Sequence, residues 1–166
     1  MLKEGDAAPD IRLRTDSGEE FRLSSLKGKR VVLYFYPKAA TPGCTTEACE
    51  FRNDIKAFVN KGVAVVGISP DKPEAQARFK QKYELPFTLL ADQEKTVAEA
   101  YGVWREKSMY GRKVMGIVRS TFVIGPDGKI EKIYDNVKAK GHAAQVLGDS
   151  IARLFPTLIR ASGLPN

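Results

Sequence analysis

The sequence predicts an α/β fold in which a mostly parallel central sheet is covered by helices on both faces. Two apolar runs of strand length, VVLYFY at 31–36 and VAVVGIS at 63–69, are typical of strands buried on both sides. Between them, helical periodicity begins near Pro42 and ends at about Asn60. A strand, a helix and a second strand in this order favour a parallel pair of strands.

The other elements follow from local patterns along the chain. IRLR and EFRL enclose a polar stretch near the N-terminus and predict a small hairpin. The helix at 42–60 carries an apolar stripe formed by Ala48, Phe51, Ile55, Phe58 and Val59. The remaining predicted elements are a helix at 72–83, a strand at 87–90, a helix at 95–102, two antiparallel strands at 116–124 and 129–135, and a last helix from about Ala139 to Arg160 with a break near Pro156.

This order of elements is the layout of a thioredoxin-like fold, which we expect to occupy one domain spanning residues 1–166. A Rossmann dinucleotide-binding unit is disfavoured because no Gly-x-Gly-x-x-Gly follows Tyr36. A phosphate-binding P-loop is disfavoured because the chain has no Gly-Lys-Ser or Gly-Lys-Thr.

Composition indicates a cytoplasmic protein without a membrane span. No apolar run approaches the roughly 20 residues that cross a bilayer, and the N-terminal MLKEGDAAPDIRLR lacks the apolar core of a secretory signal. The net charge of +7 is spread along the chain, with one local excess between Arg105 and Arg119, so we expect no nucleic-acid partner. Structural disulfides are rare in a reducing cytosol, which favours redox or catalytic roles for the two cysteines.

The first cysteine, Cys44, lies near the junction between the strand at 31–36 and the helix that follows it. Thr41 is a plausible N-cap, Pro42 suits the first helical position, and Gly43 leaves room for a small molecule. Cys44 then falls in the first turn, near free backbone N–H groups and the positive end of the helix dipole. This position favours the thiolate, which is the nucleophilic form of cysteine.

The second cysteine, Cys49, is too far from Cys44 for a disulfide within an intact helix. A five-residue offset places the two Cα atoms roughly 8.5 Å apart, whereas a disulfide needs less than about 7 Å. A bond between them therefore requires the first turns of the helix to unwind. The alternative for either cysteine is a small buried hydrophobic residue. Zinc is disfavoured because the single histidine, His142, which we expect to be exposed near the start of the last helix, cannot complete a four-ligand site.

Three further alternatives remain at this stage. A thiol–disulfide oxidoreductase of the same fold would normally carry Cys-x-x-Cys rather than this wider spacing. A basic binding module on a thioredoxin-like body is a second possibility. Arg119, on a predicted strand among apolar neighbours, needs an anionic partner, which is either a carboxylate on the sheet face or a thiolate.

Two segments resemble the peroxiredoxins, and specifically the Q-type branch, the bacterioferritin comigratory proteins. The first is PKAATPGCTTEACEFRND at 37–54, and the second is KSMYGRKVMGIVRSTFVIGPDGKI at 107–130. The resemblance covers nearly the whole chain. One departure is visible, since many relatives carry aspartate after the Pro-Lys where this chain has Ala39 and Ala40.

The resemblance implies an antioxidant thiol peroxidase that reduces hydrogen peroxide and alkyl hydroperoxides. It makes Cys44 the peroxidatic cysteine, which is oxidised to sulfenic acid. It places Pro37, Thr41 and Arg119 in the peroxide pocket, where Thr41 would hydrogen-bond the peroxide and Arg119 would stabilise charge. It also implies that Glu47 orients the arginine.

The resemblance further makes Cys49 the resolving cysteine, which closes an intramolecular disulfide with Cys44. Thioredoxin, or a similar dithiol protein, would reduce that disulfide by exchange. The family implies no metal, haem or flavin cofactor, and many members of this branch are monomers.

Overall fold

The computed structural model describes residues 1–150. In it, the apolar runs at 31–36 and 63–69 form the centre of the sheet. The described strands are β1 (Arg12–Thr15), β2 (Glu20–Arg22), β3 (Arg30–Phe35), β4 (Val63–Ser69), β5 (Thr88–Ala91), β6 (Trp104–Met109), β7 (Arg112–Ile117), β8 (Ser120–Ile124) and β9 (Ile130–Tyr134). The described α-helices are α1 (Pro42–Asn60), α2 (Pro73–Tyr83), α3 (Thr96–Ala100) and α4, whose described part is 142–150. The fold is a thioredoxin-like α/β fold, as predicted.

Seven strands form one mixed sheet in the order β2-β1-β5-β4-β3-β8-β9. Strands β3, β4 and β5 run parallel, while β1 and β8 join them antiparallel on either side. Alternate residues of β3 enter two separate apolar cores. Val32 and Tyr34 pack with Phe51 of α1, whereas Leu33 packs with Val97 of α3 on the opposite face. This two-sided burial explains why the run is apolar without alternation.

Helix α1 has the predicted bounds, and its position follows from its apolar face. Ala48, Phe51 and Phe58 are fully buried against the sheet, and Ile55 is half-buried beside them. Val59 was wrongly included in the apolar stripe, because its side chain is 62% exposed. It follows Phe58 by one residue, about 100° further around the helix, and this rotation carries it off the buried face.

The antiparallel pairing of β3 with β8 brings distant residues to the start of α1. Ser120, the first residue of β8, pairs with Phe35, the last residue of β3. The residue before Ser120 is Arg119, so it lies beyond the carboxyl end of β3. This end of β3 leads into the loop that precedes α1, and the two segments of the predicted site therefore meet there.

Residues 104–117 form a hairpin of β6 and β7 that sequence patterns did not reveal. The sequence predicts one strand over 116–124. Instead, Ile117 ends β7, and Val118 and Arg119 form a short link before β8, so Arg119 does not lie on a strand. Tyr110 and Gly111, with φ of 52° and 78°, make the two-residue turn of the hairpin. Tyrosine is uncommon in such a turn, which weakened the signal.

His142 lies near the start of the last helix as predicted, but the expectation that it is exposed was wrong. Its side chain is 2% exposed, and Nε2 shares a 2.7 Å hydrogen bond with the hydroxyl of Thr121. The rings of Phe51 and Tyr134 lie edge-on to the imidazole. The helix begins at 142 rather than Ala139. Its predicted continuation to Arg160 and its break near Pro156 lie outside the described residues.

Buried His142 is expected to make stability sensitive to acid. Burial lowers the pKa of His142 to about 4, below its ordinary value of 6.5. The stability due to the neutral imidazole is complete above pH 6.5 and is lost as the pH falls toward 4. Between pH 7.5 and 4.5, the wild-type protein should therefore lose about 2 kcal/mol more unfolding free energy than His142→Gln. Urea unfolding at both pH values measures this difference, and equal losses in the two proteins would contradict the assignment.

Candidate active site

Cys44 occupies the first turn of α1, as the sequence predicts. Thr41 is the N-cap residue, and its carbonyl accepts a 2.8 Å hydrogen bond from the N–H of Thr45. The side chain of Cys44 is 1% exposed. The hydroxyl of Thr41 donates to the carbonyl of Lys38 at 2.7 Å and does not cap the helix. That bond orients the Thr41 side chain within the loop that leads to the cysteine.

The loop before α1 is tied to the neighbouring strand β4 through Asp71, a residue that sequence reasoning missed. The N–H of Ala39 donates to Oδ2 of Asp71 at 2.8 Å, and the hydroxyl of Ser69 donates to the same oxygen at 2.6 Å. Ala40 takes a left-handed backbone conformation with φ of 66°. Pro37, which opens the loop after the buried Tyr36, is half-buried. The Ala39–Ala40 pair therefore forms a shaped and anchored loop.

Arg119 joins Cys44 to Glu47. Its Nη2 donates to Sγ of Cys44 at 3.4 Å, and its Nη1 donates to Oε1 of Glu47 at 2.6 Å. Cys44 and Glu47 are three residues apart in α1 and thus share one face of the helix. The structure brings together the cysteine, the arginine and the glutamate that the sequence analysis had selected.

Gly43 makes the approach of Arg119 possible. A Cβ atom at this position would lie 3.1 Å from Nη2 of Arg119, closer than an ordinary van der Waals contact. The lack of a side chain at Gly43 predicts room for a small molecule beside it. In the structure the guanidinium lies next to that space.

Burial is the largest single influence on the pKa values of Glu47 and Arg119. Glu47 is fully buried, and this raises its pKa to about 7, even though Arg119 acts to lower it. Burial also acts to lower the pKa of Arg119, but attraction to Glu47 and Cys44 outweighs it and raises that pKa. Within the described chain, Oε2 of Glu47 and the hydroxyl of Tyr34 are buried without a hydrogen-bond partner. The guanidinium therefore stays charged between a buried carboxyl group and the sulfur.

Cys49 lies in the second turn after Cys44 and is half-buried. Both cysteines are free thiols, and α1 is continuous through them. An unbroken helix keeps the two Cα atoms beyond disulfide range. The structure therefore represents the dithiol form, in which no disulfide joins Cys44 and Cys49.

No cluster of three or more His, Cys, Asp or Glu side chains suited to a metal ion occurs within residues 1–150. No helix in the same range is both long and apolar enough to cross a bilayer.

Comparison with known proteins gives one consistent match. The AhpC/TSA family model matches residues 4–133. Peroxiredoxin Bcp of Bacillus subtilis is 49% identical over 146 residues, 88% of this chain and 93% of that protein. Peroxiredoxin Bcp of Escherichia coli K12 is 48% identical over 146 residues, 88% of this chain and 94% of that protein.

A solved structure of the same family has the same fold as this chain. The bacterioferritin comigratory protein of Xanthomonas campestris, studied for alkyl peroxide reduction, superposes with a TM-score of 0.84 at 35% identity. The superposition covers 92% of this chain and 98% of that chain. The predicted resemblance to the bacterioferritin comigratory branch is confirmed.

Proposed function

The chain belongs to the AhpC/TSA family and is a thiol peroxidase, and from that premise we propose that Cys44 is its peroxidatic cysteine. The observation that carries the proposal is the contact between Sγ of Cys44 and Nη2 of Arg119 at 3.4 Å. A guanidinium beside the sulfur stabilises the thiolate, which is the nucleophile. The free N–H groups at the start of α1 act in the same direction.

The substrates that fit this site are hydrogen peroxide and alkyl hydroperoxides. The thiolate attacks the distal peroxide oxygen, a sulfur–oxygen bond forms, and the oxygen–oxygen bond breaks. Cys44 becomes sulfenic acid, while the peroxide is reduced to water or an alcohol. Arg119 stabilises the charge that develops on the reacting oxygens. Thr41 and Pro37, at the two ends of the preceding loop, orient the peroxide and shield the sulfur from water.

Glu47 holds the guanidinium in place for this reaction. It is fully buried and bonded to Nη1, which leaves Nη2 free to face Cys44. Because the carboxyl group lies on the same helix as the cysteine, the intact helix fixes the two partners of Arg119 relative to each other.

Cys49 is the resolving cysteine in this proposal. The continuous helix separates the two thiols, so resolution requires the first turns of α1 to unwind before the disulfide with Cys44 closes. Thioredoxin or a similar dithiol protein then reduces that bond by thiol–disulfide exchange. A cycle that depends on such a reductant suits a monomer in a reducing cytoplasm.

Replacement of Cys49 tests this cycle. One equivalent of hydrogen peroxide should convert the wild-type protein to a Cys44–Cys49 disulfide, but it should leave Cys49→Ser with one added oxygen atom on Cys44. The variant should consume that equivalent and then fail to turn over with thioredoxin and its reductase. Intact-mass and peptide mass spectrometry, with a sulfenic-acid trap, locate the products.

The same samples test the unwinding step. Hydrogen exchange of the α1 amides near Thr45 and Glu50 should be faster in the disulfide form than in the reduced protein. Normal thioredoxin-linked turnover by Cys49→Ser would remove Cys49 from the proposal, and equal exchange in both redox states would remove the unwinding.

A further inference from the structure

A second cationic side chain, Lys107, reaches the base of the hairpin beside the candidate active site. Its Nζ donates to the carbonyl of Ile117 at 2.7 Å, two residues before Arg119. Its stem crosses Gly116, where a Cβ atom would lie 3.0 Å from the lysine Cδ. The side chain is therefore held on the hairpin and is half-buried.

The charge of Lys107 interacts electrostatically with both Arg119 and Cys44, and no ion pair in the described part of the chain neutralises it. Among residues 1–150, each salt bridge joins other side chains, and Lys107 has no carboxylate partner. Burial lowers the pKa of Lys107, repulsion from Arg119 lowers it further, and Cys44 acts in the opposite direction. An ammonium group has three N–H donors, and the bond to Ile117 uses one. Two donors remain for a ligand.

The proposed reaction needs a proton donor that the other residues do not supply. When the oxygen–oxygen bond breaks, hydrogen peroxide releases hydroxide and an alkyl hydroperoxide releases alkoxide, and both are strong bases. Arg119 cannot act as the donor because a guanidinium does not lose a proton in proteins. Glu47 is fully buried and engaged with Arg119.

We propose that Lys107 is the general acid that protonates the leaving oxygen. The inference rests on the proposed role of Cys44. The sulfur gives two electrons to the distal oxygen, the alkoxide leaves with the electron pair of the broken bond, and the ammonium transfers one proton to it. The products are Cys44 sulfenic acid, an alcohol or water, and a neutral lysine amine that regains its proton from solvent. A lysine whose pKa is lowered by burial is a better acid for this step.

Lys107→Met tests the proposal with substrates that differ in their leaving group. Hydrogen peroxide and tert-butyl hydroperoxide release oxygen bases that need a proton, whereas peracetic acid releases acetate, which is stable as an anion. The variant should oxidise Cys44 about 10²-fold more slowly with the first two, the usual lower range of a general-acid contribution. Its rate with peracetic acid should stay close to that of the wild type. Rapid quench and mass spectrometry of the first turnover give the second-order rate constants.

The leaving-group comparison separates proton donation from other roles of the lysine. Any loss of thiolate, or any distortion of the site, would slow all three substrates alike. Equal slowing of the three, or no slowing of any, would overturn the proposal.

Two further variants complete the experiment. Lys107→Arg keeps the charge but offers no proton, so it should remain slow with hydrogen peroxide, and recovery of the full rate would overturn proton donation. Lys113→Met is the matched control, since Lys113 is an exposed lysine on the same hairpin whose nearest carboxylate, that of Glu106, is 3.8 Å away. It should leave all three rates unchanged. Reduction of the hydroperoxides by a Cys44→Ser protein at the wild-type rate would instead contradict the proposed function itself.

Discussion

Cys44→Ser should abolish hydroperoxide reduction, lowering peroxide consumption to the rate without enzyme. A serine hydroxyl does not ionise at neutral pH and cannot be oxidised to a stable sulfenic acid equivalent, so both the nucleophile and the electron donor are lost. The fold should survive, because the serine oxygen is smaller than sulfur and can still accept a hydrogen bond from Nη2 of Arg119. Peroxide consumption in the presence of a dithiol reductant measures the loss.

Cys49→Ser is the matched control for this prediction. It removes the other thiol of the same helix and should still consume one equivalent of peroxide, whereas Cys44→Ser should consume none. Circular dichroism of both variants checks that α1 is intact. Peroxide turnover by Cys44→Ser at the wild-type rate would exclude Cys44 as the nucleophile.

The central part of the fold was predictable because burial leaves a strong pattern there. Strands β3 and β4 are apolar on both faces, and α1 has a threonine at its N-cap position, a proline at its start and a glycine after its end. The hairpin of β6 and β7 left no such pattern, because it lies outside the main sheet and most of its side chains face solvent. Its exposed strands carry charged and apolar residues without alternation.

The candidate site was predictable where its residues are close in sequence. The spacing of Cys44 and Glu47 places them on one face of a helix without further information. The approach of Arg119 depends on the register of β8 against β3, which sequence patterns do not give, so its role came from the family resemblance.

Asp71, Lys107 and His142 show where sequence reasoning reached its limit. Asp71 and His142 contact residues far along the chain, and Lys107 contacts residues across a hairpin that the sequence patterns did not reveal. Asp71 follows the carboxyl end of a central strand, where sites in α/β sheets occur, and that position was a usable signal. The burial of His142 depends on Phe51 and Tyr134 together, and no local pattern indicates it.

Arg119→Met should lower the rate constant for Cys44 oxidation about 10²- to 10³-fold, the range seen when a donor that stabilises developing charge is removed. The variant loses the hydrogen bond to Sγ at 3.4 Å and the positive charge beside the peroxide. Arg30→Met is a matched control, because Arg30 forms an equally short 2.6 Å ion pair with Glu131 but lies at the opposite end of β3 from the loop to α1. It should leave the rate unchanged.

Arg119→Met should also destabilise the protein by up to about 3–5 kcal/mol, because Glu47 loses its cation while remaining buried. The loss should be larger at pH 8 than at pH 5. Burial raises the pKa of Glu47 to about 7, so its carboxyl group is neutral at pH 5 and needs no partner, whereas stability falls as the pH rises through that value. Urea unfolding at the two pH values measures both effects.

The double variant Arg119→Met/Glu47→Gln separates the structural role of Arg119 from its catalytic role. Removing the buried carboxylate should restore most of the stability lost at pH 8, since no unpaired charge remains in the core. The oxidation rate should stay as low as in Arg119→Met, because the donor to the sulfur and to the peroxide is still absent. If the double variant regained the wild-type rate, Arg119 would serve as the counter-ion of Glu47 alone, and charge stabilisation at Cys44 would have to come from the helix and from Lys107.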